Sequence, residues 1–209
     1  KINDKIITVH CPNTGSMQGL LKKGNKVWIS KSNNLKRKLK YTLQIIESNN
    51  SKVGVNTHLT NKIFSNAVKN NLFKDFNKNC IIKPEIKFGK NTRFDFLITQ
   101  KKFNALVEVK NVTLMRKSKI AEFPDAITTR GAKHLEELMK ASKKGYKIYI
   151  AFIIQREDCE KFAIATDIDQ RYSLLLSKAV KKNLNVLCYD CKFSSKGIKL
   201  NKKIRFRIK

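Results

Sequence analysis

Through its first 58 residues the chain carries short apolar runs without helical spacing. Val27-Trp28-Ile29 is one such run, preceded by the Lys22-Lys23-Gly24-Asn25 turn. Leu39, Tyr41, Leu43 and Ile45 alternate with Lys40, Thr42 and Gln44, and Val53-Gly54-Val55 follows the Asn49-Asn50-Ser51 turn. Period-two alternation marks a half-buried strand, and several short strands without a helix predict a small β-barrel over 1–58. Near residue 59 the period changes. Thr60 or Asn61 can cap a helix whose apolar positions Ile63, Phe64, Ala67, Val68 and Leu72 recur at helical spacing. Strands are then predicted over 80–88, 93–99 and 105–112. A helix follows over 128–143, with Leu135, Leu138 and Met139 on one face and Gly145 as its stop. An apolar run over 146–154 reads as a central strand; a helix over 171–182, a strand over 185–189 and a basic tail complete the chain. The second domain, 59–209, is α/β, and its α-β-β-β-α-β order is that of restriction-endonuclease-like domains.

Composition adds a partner class. The 209 residues suffice for one large or two modest domains, and 41% hydrophobic content excludes a disordered basic tail. Lys and Arg total 45 against 16 acidic residues, a net charge of +29. Lysine (37) and asparagine (20) are both abundant, as in compositional drift. Drift adds lysines without removing acids, and a surplus this large concentrates polyanions, nucleic acid first among them. No apolar run approaches the ~18 residues of a membrane span, and no signal-peptide pattern opens the chain. It opens at Lys1 on strand-like material, so the barrel is expected to lack upstream strands. Five cysteines, an odd number, fit a reduced, cytoplasmic protein.

Nucleases with the α-β-β-β-α-β order need an Asp and, on the next strand, Glu-x-Lys: two carboxylates for a divalent metal and a lysine for the attacking water or the phosphate. Asp95 with Glu108-Val109-Lys110 is the candidate. The acid-x-Lys string itself is uninformative in so lysine-rich a chain, since Glu85-Ile86-Lys87 and Asp190-Cys191-Lys192 carry it too. Register separates them. A hairpin turning between Lys101 and Lys102 sets Asp95 opposite Glu108, with Cβ atoms roughly 4.5–5.5 Å apart, and alternation puts Asp95, Glu108 and Lys110 on one face. Like charges facing each other in a half-buried hairpin call for a cation between them. The plainer alternative is a solvated face on which Lys110 or Arg93 pairs with Asp95.

Other groups suggest backbone contacts. Arg130, Lys133 and His134 lie on the next helix, opposite its Leu135 and Leu138 face, where they can meet phosphates or simply face solvent. Gln155-Arg156 ends the apolar strand, within reach of a site on the same sheet. Lys36-Arg37-Lys38 and Lys40 form a basic run entering a strand. Pro12 to Ser16 resembles an anion-cradling turn. Cys188 and Cys191 have zinc spacing on one side only, so buried thiols are expected there.

Blocks spread along the chain also resemble a known family. They are Val9-His10-Cys11-Pro12-Asn13-Thr14-Gly15-Ser16-Met17, Lys36-Arg37-Lys38-Leu39-Lys40-Tyr41-Thr42, Val53-Gly54-Val55-Asn56-Thr57, Arg93-Phe94-Asp95-Phe96, Val107 to Leu114, Phe123-Pro124-Asp125-Ala126 and Arg130 to Leu135. They are similar, in order, to the signature blocks of the sugar fermentation stimulation protein A family. The resemblance implies a bacterial, nucleoid-associated DNA-binding protein with an N-terminal OB-like barrel. Its second domain would be similar to Mg²⁺-dependent PD-(D/E)xK nucleases. Asp95, Glu108 and Lys110 match the nuclease-type triad. Asp95, Glu108 and the Val109 carbonyl would hold Mg²⁺ or Mn²⁺, with Lys110 positioning water. Lys36, Arg37, Lys38, Lys40, Arg93, Arg130, Lys133, His134 and Arg156 would contact DNA. A non-catalytic regulator of sugar metabolism and an RNA-directed protein or RNase are the alternatives. Where the family tends to place a Glu on the first helix of the second domain, this chain has Asn66.

Overall fold

The computed structural model describes residues 2, 4–89 and 91–206. The basic end of the chain at 207–209 lies outside the described residues. β1 (Val27–Lys31), β2 (Tyr41–Ser48) and β3 (Ser51–Gly54) form an antiparallel sheet in that order. A parallel bridge from His10 to Thr42 adds the N-terminal segment to it. Strict alternation along β2 is not what forms. Trp28 faces Ile45 but Ile29 faces Leu43, so Gln44 is an extra residue in a bulge. Beyond the bulge Ile46 joins Leu43, Val53, Val55, Met17 and Leu20 in a small core, while Ile45 packs against the larger unit.

A turn of 3-10 helix (Thr57–Leu59) leads into α1 (Thr60–Lys69). Then come β4 (Ile81–Phe88), β5 (Thr92–Gln100) and β6 (Phe103–Val112), all as predicted to within two residues. A short hairpin, β7 (Leu114–Lys117) and β8 (Ile120–Phe123), was not predicted. α2 (Thr129–Lys143) starts from Thr128, whose hydroxyl accepts the Gly131 N–H, and β9 (Lys147–Ile154) follows. β10 (Lys161–Ile164), α3 (Gln170–Lys181), β11 (Leu184–Ser194), β12 (Gly197–Lys203) and β13 (Arg205–Phe206) complete the fold. The order α-β-β-β-α-β holds, with the β7–β8 hairpin inserted before α2.

The main sheet runs β12-β11-β9-β6-β5-β4, parallel between β6, β9 and β11 and antiparallel outside them. β9 is central because both its faces are apolar. Ile148, Ile150, Phe152 and Ile154 meet α2 and α3, and Tyr149, Ala151 and Ile153 lie in the core on the α1 side. The strand predicted to end at 189 runs on to Ser194 and returns as β12. There Ile198 and Leu200 pack inward while the alternating lysines stay outside, a composition that discourages further pairing on an outer strand. β13, β10, β8 and β7 form a second, four-stranded sheet. All five cysteines are free; Cys188 and Cys191 belong to the cores on opposite faces of the sheet, so they cannot share a metal. Among the described residues no helix is long and apolar enough to cross a membrane.

The N-terminal sheet joins the larger unit edge-on. The Gly54 N–H donates to the Gln155 carbonyl at 2.9 Å and the Gln155 N–H to the Val112 carbonyl at 3.0 Å. A Cβ on Gly54 would lie 2.3 Å from Gln155 Oε1, so this approach requires glycine.

Candidate active site

β5 and β6 pair from Gln100↔Phe103 to Phe96↔Val107, the predicted register. One step further Asp95 would face Glu108, but the ladder lets go there. Phe94 packs beneath α2 and α3 whereas Phe96 packs on the α1 side, so β5 changes face at Asp95. β4 does the same between Ile82 and Ile86, around Glu85, which sits in the left-handed region (φ +56°). Asp95 is therefore not a same-face cross-strand partner of Glu108. Its carboxylate fills the gap left by the ladder: Oδ2 accepts the Val109 N–H at 2.7 Å and Oδ1 the Asn61 amide at 2.8 Å. The two acids meet at the end of the sheet where the strands part, in a cleft of about 690 Å³ that Val109, Lys110 and Arg130 also line.

Glu108 is 4% exposed. Its Oε1 accepts both the Lys110 ammonium, at 2.6 Å, and His134 Nδ1, while its Oε2 is buried without a partner. Two donors on one oxygen leave the other without a partner in a residue that lines the cleft. Burial pushes the Glu108 carboxyl up, but Lys110 and His134 together outweigh it and hold the group below the ordinary carboxylate range. Asp95 goes the other way: burial, then the Glu108 charge, raise it against the Val109 and Asn61 hydrogen bonds.

Two expected phosphate contacts are corrected. His134 is buried, its ring edge-on to Phe94 and its Nδ1 on Glu108, because it lies one helical turn from both Gly131 and Leu138 on the buried stripe of α2. Arg156 is 2% exposed; its guanidinium holds the Asp158 carboxylate at 2.8 and 2.7 Å and the Thr113 carbonyl at 3.0 Å. Arg93 is exposed and paired with Glu85 at 3.2 Å, and Lys133 donates to the Asn91 carbonyl at 3.0 Å. Both line a neighbouring cleft with Arg130. Arg37 and Lys38 line a separate cleft on the N-terminal sheet; Lys36 and Lys40 are exposed beside it.

Several site residues escaped the sequence. Asn61 and Thr60, read as helix caps, are bonded elsewhere: Asn61 to Asp95, and Thr60 to Asn111 at 3.3 Å and Gln155 at 3.1 Å. Asn66 is exposed and lies outside the cleft, so the helix brings an amide, Asn61, to the carboxylates. The N-terminal unit supplies one wall through Asn13, Thr14, Gly15, Thr57 and His58. The 12–16 turn does cradle an anion, the chain's own Asp125: Ser16 N–H donates to its Oδ2 at 3.0 Å, and a Cβ on Gly15 would sit 2.2 Å from that oxygen.

Asp95, the unpartnered Glu108 oxygen and main-chain carbonyls are hard oxygen donors, the kind that suits Mg²⁺, Mn²⁺ or Ca²⁺. A buried carboxylate oxygen without a partner, beside a second carboxylate, fits such a cation. Residues 58–197 match the model of the sugar fermentation stimulation protein RE domain, and residues 1–55 that of the family's N-terminal OB domain. The chain belongs to the sugar fermentation stimulation protein family. A sugar fermentation stimulation protein homolog of Pelagibacter ubique (strain HTCC1062) is 54% identical over 205 residues, covering 98% of this chain and 88% of that protein. The homolog of Bartonella quintana (strain Toulouse) is 42% identical over 194 residues, covering 92% and 83%. Among solved structures, that of the Pyrococcus furiosus family member in complex with Ca²⁺ superposes with a TM-score of 0.91 at 25% identity, covering all of this chain and 89% of that one.

Proposed function

We propose that this family member binds nucleic acid and that its carboxylate cleft holds a divalent cation and cleaves phosphodiesters, as in the PD-(D/E)xK nucleases. The observation that carries the reading is the Glu108 carboxylate, fixed through one oxygen by Lys110 and His134 with the other buried and unpartnered beside Asp95. The Ca²⁺ complex of the Pyrococcus furiosus relative supports it. Asp95, Glu108 and the Val109 carbonyl would hold the ion, which when bound neutralises phosphate charge and acidifies water. Lys110 keeps Glu108 ionised and oriented and places an ammonium where a phosphate arrives. Asn61 holds Asp95, and Arg130 at the rim meets the backbone. Contacts of this kind are to phosphates, so binding is largely indifferent to sequence and weakens steeply with salt.

The test is cleavage of plasmid, single-stranded DNA and matched RNA with Mg²⁺ or Mn²⁺, by the native chain and by Asp95→Ala. Loss of cleavage in the variant with retained binding is the expected result; cleavage that persists in the variant sinks the reading. A second reading, a binding protein without chemistry, draws on Asn61: the helix offers an amide where a third carboxylate would strengthen the ion site. In that case both chains bind and neither cleaves.

A further inference from the structure

Three clefts neighbour one another through shared lining residues. On the N-terminal sheet, a cleft of about 550 Å³ is lined by Arg37, Lys38, His10 and His58 among others. It shares His58 with the carboxylate cleft, which in turn shares Arg130 with a third cleft of about 600 Å³ lined by Lys87, Arg93 and Lys133. Glu85 of the middle cleft pairs with Arg93 of the third at 3.2 Å, a second link between them. Charge is sorted among them. Neither outer cleft has a carboxylate in its lining, whereas the middle one holds Glu85, Asp95, Glu108 and Asp125. Arg37 is steadied by the Thr42 hydroxyl at 3.0 Å and Lys133 by the Asn91 carbonyl, contacts that leave their charges uncompensated.

We propose that the three clefts are one track for a single polynucleotide strand. Its backbone is gripped by Arg37 and Lys38 on one side of the carboxylates and by Arg130, Lys133, Arg93 and Lys87 on the other, so that the centre meets an internal phosphodiester and not a chain end. This rests on the function proposed above and adds its substrate register. A site built for ends needs cations on one side of the chemistry; this one has them on both.

The decisive probe is a covalently closed single-stranded circle, made as DNA and as RNA, against the linear strand of the same sequence. Binding is read by fluorescence anisotropy in Ca²⁺ at graded salt. The circle should bind within about twofold of the linear strand. The pairs Arg37→Ala with Lys38→Ala, and Arg130→Ala with Lys133→Ala, should each weaken both ligands about tenfold and flatten the slope of log K against log salt by about 1.4, two single-strand phosphate contacts' worth. A circle bound at least tenfold more weakly than the linear strand, or one pair of substitutions without effect, overturns the track. Incubation with Mg²⁺ or Mn²⁺ separates this from the underlying function. A circle bound through both basic clefts yet left closed upholds the track and refutes the chemistry; trimming of linear ends with circles intact does the reverse. The DNA and RNA arms identify the sugar.

Discussion

Replacing Asp95 with asparagine should make the metal-free protein more stable while abolishing its response to a divalent cation. The variant is nearly isosteric. Its side-chain oxygen still accepts the Val109 N–H, and the Asn61 amide can turn to present its own oxygen. What disappears is a charge that burial and Glu108 both disfavour. Asp95 and Glu108 line one cleft, and like charges on the order of 6 Å apart at an effective dielectric near 20 repel by about 3 kcal/mol. Converting two charge-assisted hydrogen bonds into neutral ones gives back about 1 kcal/mol each. The balance is about 1 kcal/mol in favour of asparagine, or about 2–4 °C in Tm for a chain of this size.

The pH dependence has a definite sign. Because the folded-state pKa of Asp95 is raised, its cost is absent below the unfolded carboxylate value near ~4, grows as pH rises from there towards the folded value, and is complete above it. The advantage of the variant should thus be present at neutral pH and vanish in acid. Thermal denaturation in EDTA across this range tests it, followed by titration with Ca²⁺ or Mn²⁺. At 100 times its Kd an ion should stabilise the native chain by about 2.7 kcal/mol, or about 5–10 °C, and leave Asp95→Asn unmoved. A variant destabilised by several degrees in EDTA at every pH, or one that keeps the ion-dependent rise, would show that Asp95 is structural.

Three further outcomes follow from the packing. Arg156→Met should lower stability by about 3 kcal/mol by stranding Asp158 and the Thr113 carbonyl, while the salt slope of nucleic-acid binding stays unchanged; a flatter slope would return Arg156 to the phosphate contacts. Gly54→Ala drives a methyl into Gln155 Oε1, whose side chain is buried, and should cost about 2 kcal/mol, read as a Tm lower by about 4–8 °C. Thiol labelling at pH 8 should modify exposed Cys11 at once and half-exposed Cys80 slowly. Cys159, pushed by burial to about 12, and Cys188 and Cys191, raised still further, should react only on unfolding; rapid modification of more than two thiols in the native chain contradicts the assigned cores.

The register that brings Asp95 near Glu108 was legible because a hairpin's pairing follows from one number, the centre of its turn, and 101–102 is where the turn falls. The geometry at the site was not, because alternation assumes an unbroken ladder and the chain breaks it there, at Glu85 and Asp95 together. His134 was misplaced by treating α2 as a helix with Leu135 and Leu138 inside and its basic residues outside. The positions 131, 134 and 138 form an equally good buried stripe, and only a partner carboxylate on a distant strand decides that a histidine belongs on it. Asn61 and Thr60 show the opposite ambiguity. A small polar residue at a helix start suits a cap, yet Leu59 takes the cap position without a side-chain bond, and both polar groups go to neighbours more than 30 residues away. The β7–β8 hairpin, with four-residue strands, is too short for periodicity to register, though it carries the loop that forms one wall of the cleft.

In a chain with a net charge of +29 the scarce residue is the acid, and its placement is informative. Four of the 16 acidic side chains line a single cleft, between clefts whose linings contain none. A polyanion drawn to the surface by the overall field would be repelled at the point where Asp95 and Glu108 converge. The nearest cations relieve that repulsion only in part: Lys110 and His134 both lie on one oxygen of Glu108 and leave its other oxygen without a partner. Under the proposed function the conflict resolves in one way. A small cation between the carboxylates would serve as counter-charge to them and to the phosphate at once, so that each ligand would lower the electrostatic cost of the other. On that reading the binding of metal and of nucleic acid would be coupled by the same few atoms that would perform the chemistry.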